Sequence, residues 1–224
     1  MKQILFFLIA SFLTTVSQSF AESPPAVEGH KAFMEGLREI QTDALEFKGA
    51  KSASKPRTLS PVVSRFKGWF IDVTEKAKSS KLDGVDVVEG ISLASKSRAS
   101  SAWQFVETEK GYVVRSAVRS AGGKYKGWII VIDDRAKTRP EGPNLTVTPA
   151  LRLAKSATVN SYWRPTLTKQ GLVLEAMSGK YKGWVWDFGG GDPSHEESGR
   201  QVAVNVLLAE KVVAGSYFAV KAAE

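Results

Sequence analysis

The chain has 224 residues, no cysteine and only two histidines, His30 and His195. Without cysteine there is no disulfide framework, no lipid-attachment cysteine and no thiolate nucleophile or metal ligand. No serine stands in a Gly-x-Ser-x-Gly context, which would indicate an activated hydrolase serine. His195 has acidic neighbours in a Gly-rich stretch but no second histidine at a recurrent ligand spacing, so we expect a solvated surface loop there. These absences predict a protein with no catalytic residues, no metal site and no cofactor.

Long hydrophobic runs are also missing, except at the N-terminus. Lys2 precedes an apolar run over residues 4–16, and Ser19-Phe20-Ala21 offers small residues on both sides of a cut. This pattern predicts a secretory signal peptide over residues 1–21. The run is too short to span a bilayer comfortably, and no comparable run follows, so we expect no transmembrane segment after cleavage. The predicted location is secreted or periplasmic.

The charge is moderately basic and evenly spread. The formal net charge is +8, and +7 once Lys2 is removed with the signal peptide. A basic exported protein can meet anionic partners such as acidic polysaccharides. Acidic residues are interspersed throughout and no long basic tract occurs, so nucleic acid is not expected as the partner.

Residues 22–56 are predicted to lie outside the main domain. Apolar residues recur at helical spacing over residues 33–47, which predicts one amphipathic helix that docks on the domain as a lid. Lysine and arginine among small residues follow at positions 48–57, and we expect a flexible basic linker there.

The rest of the chain repeats three landmarks in the same order. The first is an aromatic-Lys-Gly-Trp run, the second a Leu-Ala pair, and the third an aromatic residue preceded at the second position by serine. The runs are Phe66-Lys67-Gly68-Trp69, Tyr125-Lys126-Gly127-Trp128 and Tyr181-Lys182-Gly183-Trp184; the pairs are Leu93-Ala94, Leu153-Ala154 and Leu208-Ala209; the aromatic residues are Trp103, Trp163 and Phe218. Such self-similarity indicates units that share one core.

Each landmark falls in a segment with strand character. Alternate residues after each Gly-Trp share one face, which predicts three equivalent inner layers: Trp69/Ile71/Val73, Trp128/Ile130/Ile132 and Trp184/Trp186/Phe188. The late aromatic residues are expected in the core, and Trp69, Trp128 and Trp184 in the core or as a plug at one end. A fourth strand follows in the first two units, and residues 59–63 are predicted to fill its place in the third. Twelve strands would then close with the chain ends meeting.

Twelve short strands in three units, with a late aromatic residue in each, resemble a β-trefoil. Within that fold the chain is most similar to ricin-type lectin-like repeats. We therefore predict an all-β fold, a β-trefoil of three four-stranded repeats preceded by a short amphipathic helix. The domain spans residues 57–224, with repeats at about 57–107, 111–167 and 171–224. Tandem bacterial SH3-like barrels, which also use Gly-Trp strands at this spacing, are the alternative architecture.

The resemblance implies a sugar pocket in each repeat, with an aspartate at the end of the second strand. The matching positions are Asp72 and Asp187, while Val131 stands there in the second repeat. An aspartate at this position would accept hydrogen bonds from two sugar hydroxyls. The alternative is that both cap turns or pair with nearby lysines. The loops expected over residues 74–87 and 189–200 lack the aromatic residue that would act as a platform.

A polar amide near the late aromatic residue is the other implied contact. The matching positions are Ser100, Asn160 and Gly215, so no repeat keeps the whole set. The family's glutamine two residues before the late tryptophan is replaced here by serine. We nevertheless take Asp72, Asp187, Ser100 and Asn160 as the candidate ligand-binding residues.

The aromatic-Lys-Gly-Trp runs offer a second candidate site. If these hairpins project, Lys67, Lys126 and Lys182 with Tyr125 and Tyr181 would form a ring at one end of the barrel. Such a ring could hold an anionic glycan or phosphate by charge and stacking.

These features predict an exported, non-enzymatic binding protein, with carbohydrate or anionic polysaccharide as the favoured ligand. The alternative is a protein-interaction or inhibitor module that acts through its loops and N-terminal helix. Its candidate segments are residues 33–47 and the basic loop at residues 133–147.

Overall fold

The described part of the protein is all-β. The computed structural model describes residues 50–62, 65–117, 125–189, 195–203 and 206–223, and these contain no helix of seven or more residues. The strands, in chain order, are β1 Ala50–Ala53, β2 Arg57–Pro61, β3 Phe70–Leu82, β4 Val85–Ala94, β5 Trp103–Thr108, β6 Gly111–Ser116, β7 Ile129–Ile132, β8 Arg139–Pro140, β9 Thr146–Thr148, β10 Leu151–Ala154, β11 Trp163–Leu167, β12 Leu172–Ala176, β13 Val185–Phe188, β14 His195–Glu197, β15 Arg200–Ala203, β16 Val206–Ala209 and β17 Phe218–Ala222. The predicted all-β class is confirmed.

Six of these strands close into a barrel. The antiparallel ring runs β2, β5, β6, β11, β12 and β17, and β17 pairs back onto β2. The closing pair has Phe218 opposite Pro61 and Ala222 opposite Arg57. The prediction that the strand near residue 59 meets the end of the chain is therefore confirmed. Closure leaves the barrel without an exposed edge strand.

Three further pairs of strands lie outside this ring: β3 with β4, β7 with β10, and β13 with β16. Their registers are equivalent, because the alanine of each Leu-Ala pair lies opposite the residue that follows the Gly-Trp landmark. The pairs are Ala94 with Phe70, Ala154 with Ile129, and Ala209 with Val185. The repeated landmarks of the sequence thus correspond to repeated positions in the fold.

The core contains the residues that the repeats predicted. Trp103, Trp163 and Phe218 are fully buried, as are the inner residues of β3, β7 and β13. The Nε1 of Trp103 donates to the Ile71 carbonyl at 2.9 Å, and that of Trp163 to the Ile130 carbonyl at 3.3 Å. A buried indole N–H usually finds such a partner, whereas phenylalanine has no polar group to satisfy. The three tryptophans of the Gly-Trp landmarks are half-buried and pack against the same core.

The expected flexible linker is wrong over Ala50–Ala53, which forms β1 and pairs with β5. Small side chains allow this close approach, and Ala53 and Ser54 are completely buried. The Ser54 hydroxyl accepts from the Phe105 amide at 3.0 Å. The backbone of β1 therefore forms hydrogen bonds with β5, although its lysine and small residues predicted a flexible segment.

Three predicted loops also contain strands. Residues 74–87 belong to the long β3–β4 hairpin, whose Asp83-Gly84 turn has φ angles of 48° and 81°. An Asp-Gly pair is a strong hairpin signal because both turn positions need positive φ. Residues 133–147 include β8, which pairs with β9, and β9 pairs in turn with β16. Part of residues 189–200 is β14, which pairs with β15.

The predicted signal peptide and the amphipathic helix at residues 33–47 lie outside the described residues. Among the residues that are described, no helix is long and apolar enough to cross a membrane.

Candidate functional site

The three aromatic-Lys-Gly-Trp turns have the same geometry. In each, the tryptophan amide donates to the carbonyl of the aromatic residue. The glycine amide donates to the carbonyl of the last residue in the preceding barrel strand. The two rings pack edge to face, with centroid separations of 5.0 Å for Phe66–Trp69, 5.0 Å for Tyr125–Trp128 and 4.9 Å for Tyr181–Trp184. The glycines Gly68, Gly127 and Gly183 have φ angles of 82°, 77° and 89°, a region that favours glycine.

The aromatic part of the predicted ligand ring is wrong. Phe66, Tyr125 and Tyr181 are 1%, 5% and 1% exposed and belong to the main core. The Tyr181 hydroxyl donates to the Ala136 carbonyl at 2.5 Å. Edge-to-face packing on the tryptophans turns these rings inward, so they cannot stack on a ligand from solvent.

The lysines of the same turns are exposed: Lys67, Lys126 and Lys182. Each of the strands β2, β6 and β12 is antiparallel to both of its barrel neighbours, so these three strands run in the same direction. The turns that follow them therefore lie at one end of the barrel. We call this end, with its three turn lysines, the lysine end.

The sequence around the lysine end carries charge of one sign. The three connections, residues 62–69, 117–128 and 177–184, contain seven lysines and arginines and no aspartate or glutamate. Five of them are exposed among the described residues: Arg65, Lys67, Lys126, Lys180 and Lys182. Because exposed like charges add their potentials over a Debye length, this end attracts anions.

The aspartate predicted to bind sugar in the first repeat is buried and paired. Asp72 has no exposed surface, and its Oδ2 forms ion pairs with Arg200 and, at 3.5 Å, with Arg98. Its Oδ1 accepts from the Val73 amide at 2.6 Å. The Arg98 Nε also donates to the Ser100 hydroxyl at 2.6 Å, so Asp72 and Ser100 do lie around one group. That group is an arginine of the protein itself, and Asp72 and Ser100 have almost no surface left to contact a sugar.

The Asp72 ion pair extends into a buried network with the third repeat. Arg200 is 3.9 Å from Glu197, whose Oε1 accepts from the Thr74 hydroxyl and lies 2.8 Å from the His195 Nε2. His195 is thus in strand β14 and joined to a buried carboxylate, and the expected solvated loop is wrong at this residue. Within the described part of the chain, no group of three or more histidine or acidic side chains could hold a metal ion.

The aspartate of the third repeat is also buried. Asp187 is 3% exposed, and its Oδ1 accepts from the Ser216 hydroxyl at 3.3 Å. A Cβ on Gly215 would come within 2.5 Å of the same oxygen, which explains the glycine at that position. Burial, together with the charge of Glu141, raises the pKa of Asp187 to about 6.

In the second repeat, Asn160 takes part in an internal contact. Its Nδ2 donates to the Asp134 Oδ2 at 2.7 Å, and its side chain is almost wholly buried. Val131, at the position of the missing aspartate, is in the hydrophobic core. Asp134, three residues after Val131, therefore supplies the carboxylate that contacts Asn160. All four predicted ligand residues are used inside the protein.

One potential site residue was missed in the sequence. Tyr162 is half-buried and lines a cleft of about 420 Å³ between the first and second repeats. The residue that precedes each late aromatic is Ala102, Tyr162 or Tyr217, so a comparison of these positions across the repeats would have found it.

Comparison with known proteins adds no relative. No family model matches the chain, and no curated protein or solved structure matches it significantly. The function must therefore be argued from the residues and their placement, because a fold shared with other proteins would not by itself identify a ligand.

Proposed function

We propose that this chain is an exported, non-enzymatic β-trefoil that binds an acidic glycan through its lysine end. Its location would be secreted or periplasmic, after removal of residues 1–21. The six-stranded barrel and the three outer strand pairs with equivalent registers support the trefoil. Repeats that contribute equivalent surface groups suit a polymer with repeated charges, because several weak contacts then act together.

The observation that carries the proposal is the equivalent presentation of Lys67, Lys126 and Lys182. Each lysine is exposed, and each sits beside a glycine that the turn fixes at positive φ. The buried aromatic residue before each lysine anchors its backbone in the core. Holding the backbone in place lowers the entropy lost on binding, so rigid turns make better binding elements than flexible ones.

An acidic ligand is favoured over the neutral sugar of a ricin-type pocket. The carboxylates such a pocket would use, Asp72 and Asp187, are buried, and binding through Asp72 would require breaking its ion pair with Arg200. Breaking a buried pair is costly because it leaves an uncompensated charge. The lysine end instead presents three exposed turn lysines, and its three connections contain no carboxylate.

A glycan array of acidic and neutral glycans, at near-physiological and raised salt, tests the proposal. The key variant replaces Lys67, Lys126 and Lys182 with glutamine. A matched control replaces three exposed lysines outside these turns, Lys51, Lys169 and Lys221, and has the same net charge. Exposed ion pairs are worth about 0.2–1 kcal/mol each, so the key variant should bind acidic glycans about tenfold more weakly.

The proposal requires that the control variant bind nearly as well as the unaltered protein and that raised salt weaken binding. Equal losses in the two variants would show that diffuse charge, and not the lysine end, holds the glycan. A blank array with folded protein would contradict a glycan ligand and favour a protein partner instead.

A further inference from the structure

The cleft beside Tyr162 has features that the lysine end lacks. It opens between the tip of the β3–β4 hairpin, the β5–β6 turn and the segment that leads into β11. Tyr162 and Val85 form part of an apolar wall and pack against a buried cluster that includes Val87, Val106 and Val113. Val159, which also lines it, is 71% exposed, an unusual value for a large apolar residue among those described.

Polar groups stand around this apolar wall. The Lys110 Nζ lies over the Tyr162 ring, 5.7 Å from its centroid. Asp83 and Thr158 also line the cleft, and Asp83 belongs to the two-residue hairpin turn, which fixes its backbone. The lining therefore combines an aromatic ring, a hydrogen-bond donor and a carboxylate acceptor. An apolar surface with a few converging polar groups is typical of small-molecule sites.

The charges that line the cleft select the class of ligand. Lys110 and Asp83 carry one charge of each sign and are the only formally charged residues among the described ones that line the cleft. A strongly anionic ligand would meet Asp83, and a cationic one would meet Lys110. A neutral molecule with one apolar face and several hydroxyl groups fits best, since it can stack on the ring and pair with both charged groups.

We propose that the cleft lined by Tyr162, Asp83 and Lys110 is a subsite for a neutral pyranose sugar. This goes beyond the proposed binding of acidic glycans, because the site, the ligand charge and the response to salt all differ. The sugar face would displace the Lys110 ammonium from the Tyr162 ring and stack there beside Val159. Its hydroxyls would donate to the Asp83 carboxylate and accept from the displaced ammonium.

Amide chemical-shift mapping by NMR on the isotope-labelled protein tests the subsite. The probes are galactose, glucose, mannose and N-acetylglucosamine, each titrated into the millimolar range. At least one should cause saturable shifts centred on Asp83, Lys110, Thr158 and Tyr162, unchanged by raised salt. Tyr162→Ala should weaken that binding about tenfold, in line with the loss of one stacking contact.

Tyr217→Ala is the matched control, because Tyr217 occupies the equivalent half-buried position in the third repeat and does not line this cleft. It should bind the sugar like the unaltered protein. Spectra of both variants report whether the fold survives, and Asp83→Asn, at an exposed turn, offers a second variant should Tyr162→Ala unfold. Absence of saturable shifts with all four sugars, or equal binding by Tyr162→Ala or Asp83→Asn, would overturn the subsite. Neither result would affect the lysine end, whose binding is sensitive to salt.

Discussion

Replacing Asp187 with asparagine is expected to stabilise the protein at neutral and alkaline pH. The carboxyl group of Asp187 is 3% exposed, and burial followed by the charge of Glu141 raises its pKa from 3.8 to about 6. A difference of about two pKa units corresponds to about 3 kcal/mol between the two protonation states. Ionised Asp187 therefore lowers the free energy of unfolding by about that amount, and asparagine removes the charge while keeping the shape.

The free energy of unfolding depends on pH because the Asp187 carboxyl group binds its proton more tightly in the folded state than in the unfolded state. Between the unfolded pKa of 3.8 and the folded pKa of about 6, the folded state holds a proton that the unfolded state has lost. This contribution to the free energy of unfolding is therefore fully present below pH 4, falls as the pH rises toward 6, and is lost above it. Other carboxylates titrate in the same range, so the difference between Asp187→Asn and the unaltered protein is the informative quantity.

Urea unfolding from pH 4 to pH 8 measures this difference. The variant should gain about 2–3 kcal/mol relative to the unaltered protein at pH 8 and little at pH 4. Asp86→Asn is the control, since Asp86 is exposed and the hydrogen bond and charge of Lys81 lower its pKa. Its small effect should have the opposite sign. A difference curve for Asp187→Asn that is level across this range, or a loss of stability at pH 8, would show that burial does not destabilise ionised Asp187.

Two further predictions concern the buried ion pair and the lysine turns. Arg200→Met should cost about 3 kcal/mol in urea unfolding, because the buried Asp72 loses its closer cation and keeps the Arg98 pair at 3.5 Å. Adding Asp72→Asn should restore part of the loss; equal stability of Arg200→Met and the unaltered protein would contradict this. Gly183→Ala should cost about 1–2 kcal/mol from its φ of 89° alone, since a Cβ there meets no atom within 4 Å. A thermal melt unchanged by Gly183→Ala would show that the turn tolerates a side chain.

Much of the architecture was predictable because it is repeated. The Gly-Trp and Leu-Ala landmarks recur with nearly fixed spacing, and in the structure they mark equivalent strand registers. Periodicity also identified the inner faces, where side chains at alternate positions are buried. The third repeat lacks a fourth strand in the sequence, which predicted that residues 59–63 take its place, and β17 does pair with β2.

The candidate site was less predictable because its contacts are between residues distant in sequence. Asp72 pairs with Arg200, 128 positions away, and nothing local in the sequence indicates such a partner. Tyr125 and Tyr181 lie in the main core, and the Tyr181 hydroxyl donates to the Ala136 carbonyl 45 positions away, whereas an aromatic residue before lysine resembles an exposed hairpin tip. Strand β1 was missed for the same reason, since its partner β5 lies about 50 residues further on.

The most direct test of the lysine end is the salt dependence of binding to a defined polyanion, such as dextran sulfate or polygalacturonate. The dissociation constant should be measured over a range of salt concentrations for the unaltered protein, for the glutamine variant of Lys67, Lys126 and Lys182, and for the Lys51, Lys169 and Lys221 control. By the counterion-release relation established for nucleic acids, removing three contacting cations should reduce the logarithmic salt slope by about two to three. We expect this reduction in the turn variant and little change in the control. Equal slopes in all three proteins would show that Lys67, Lys126 and Lys182 do not contact the polyanion.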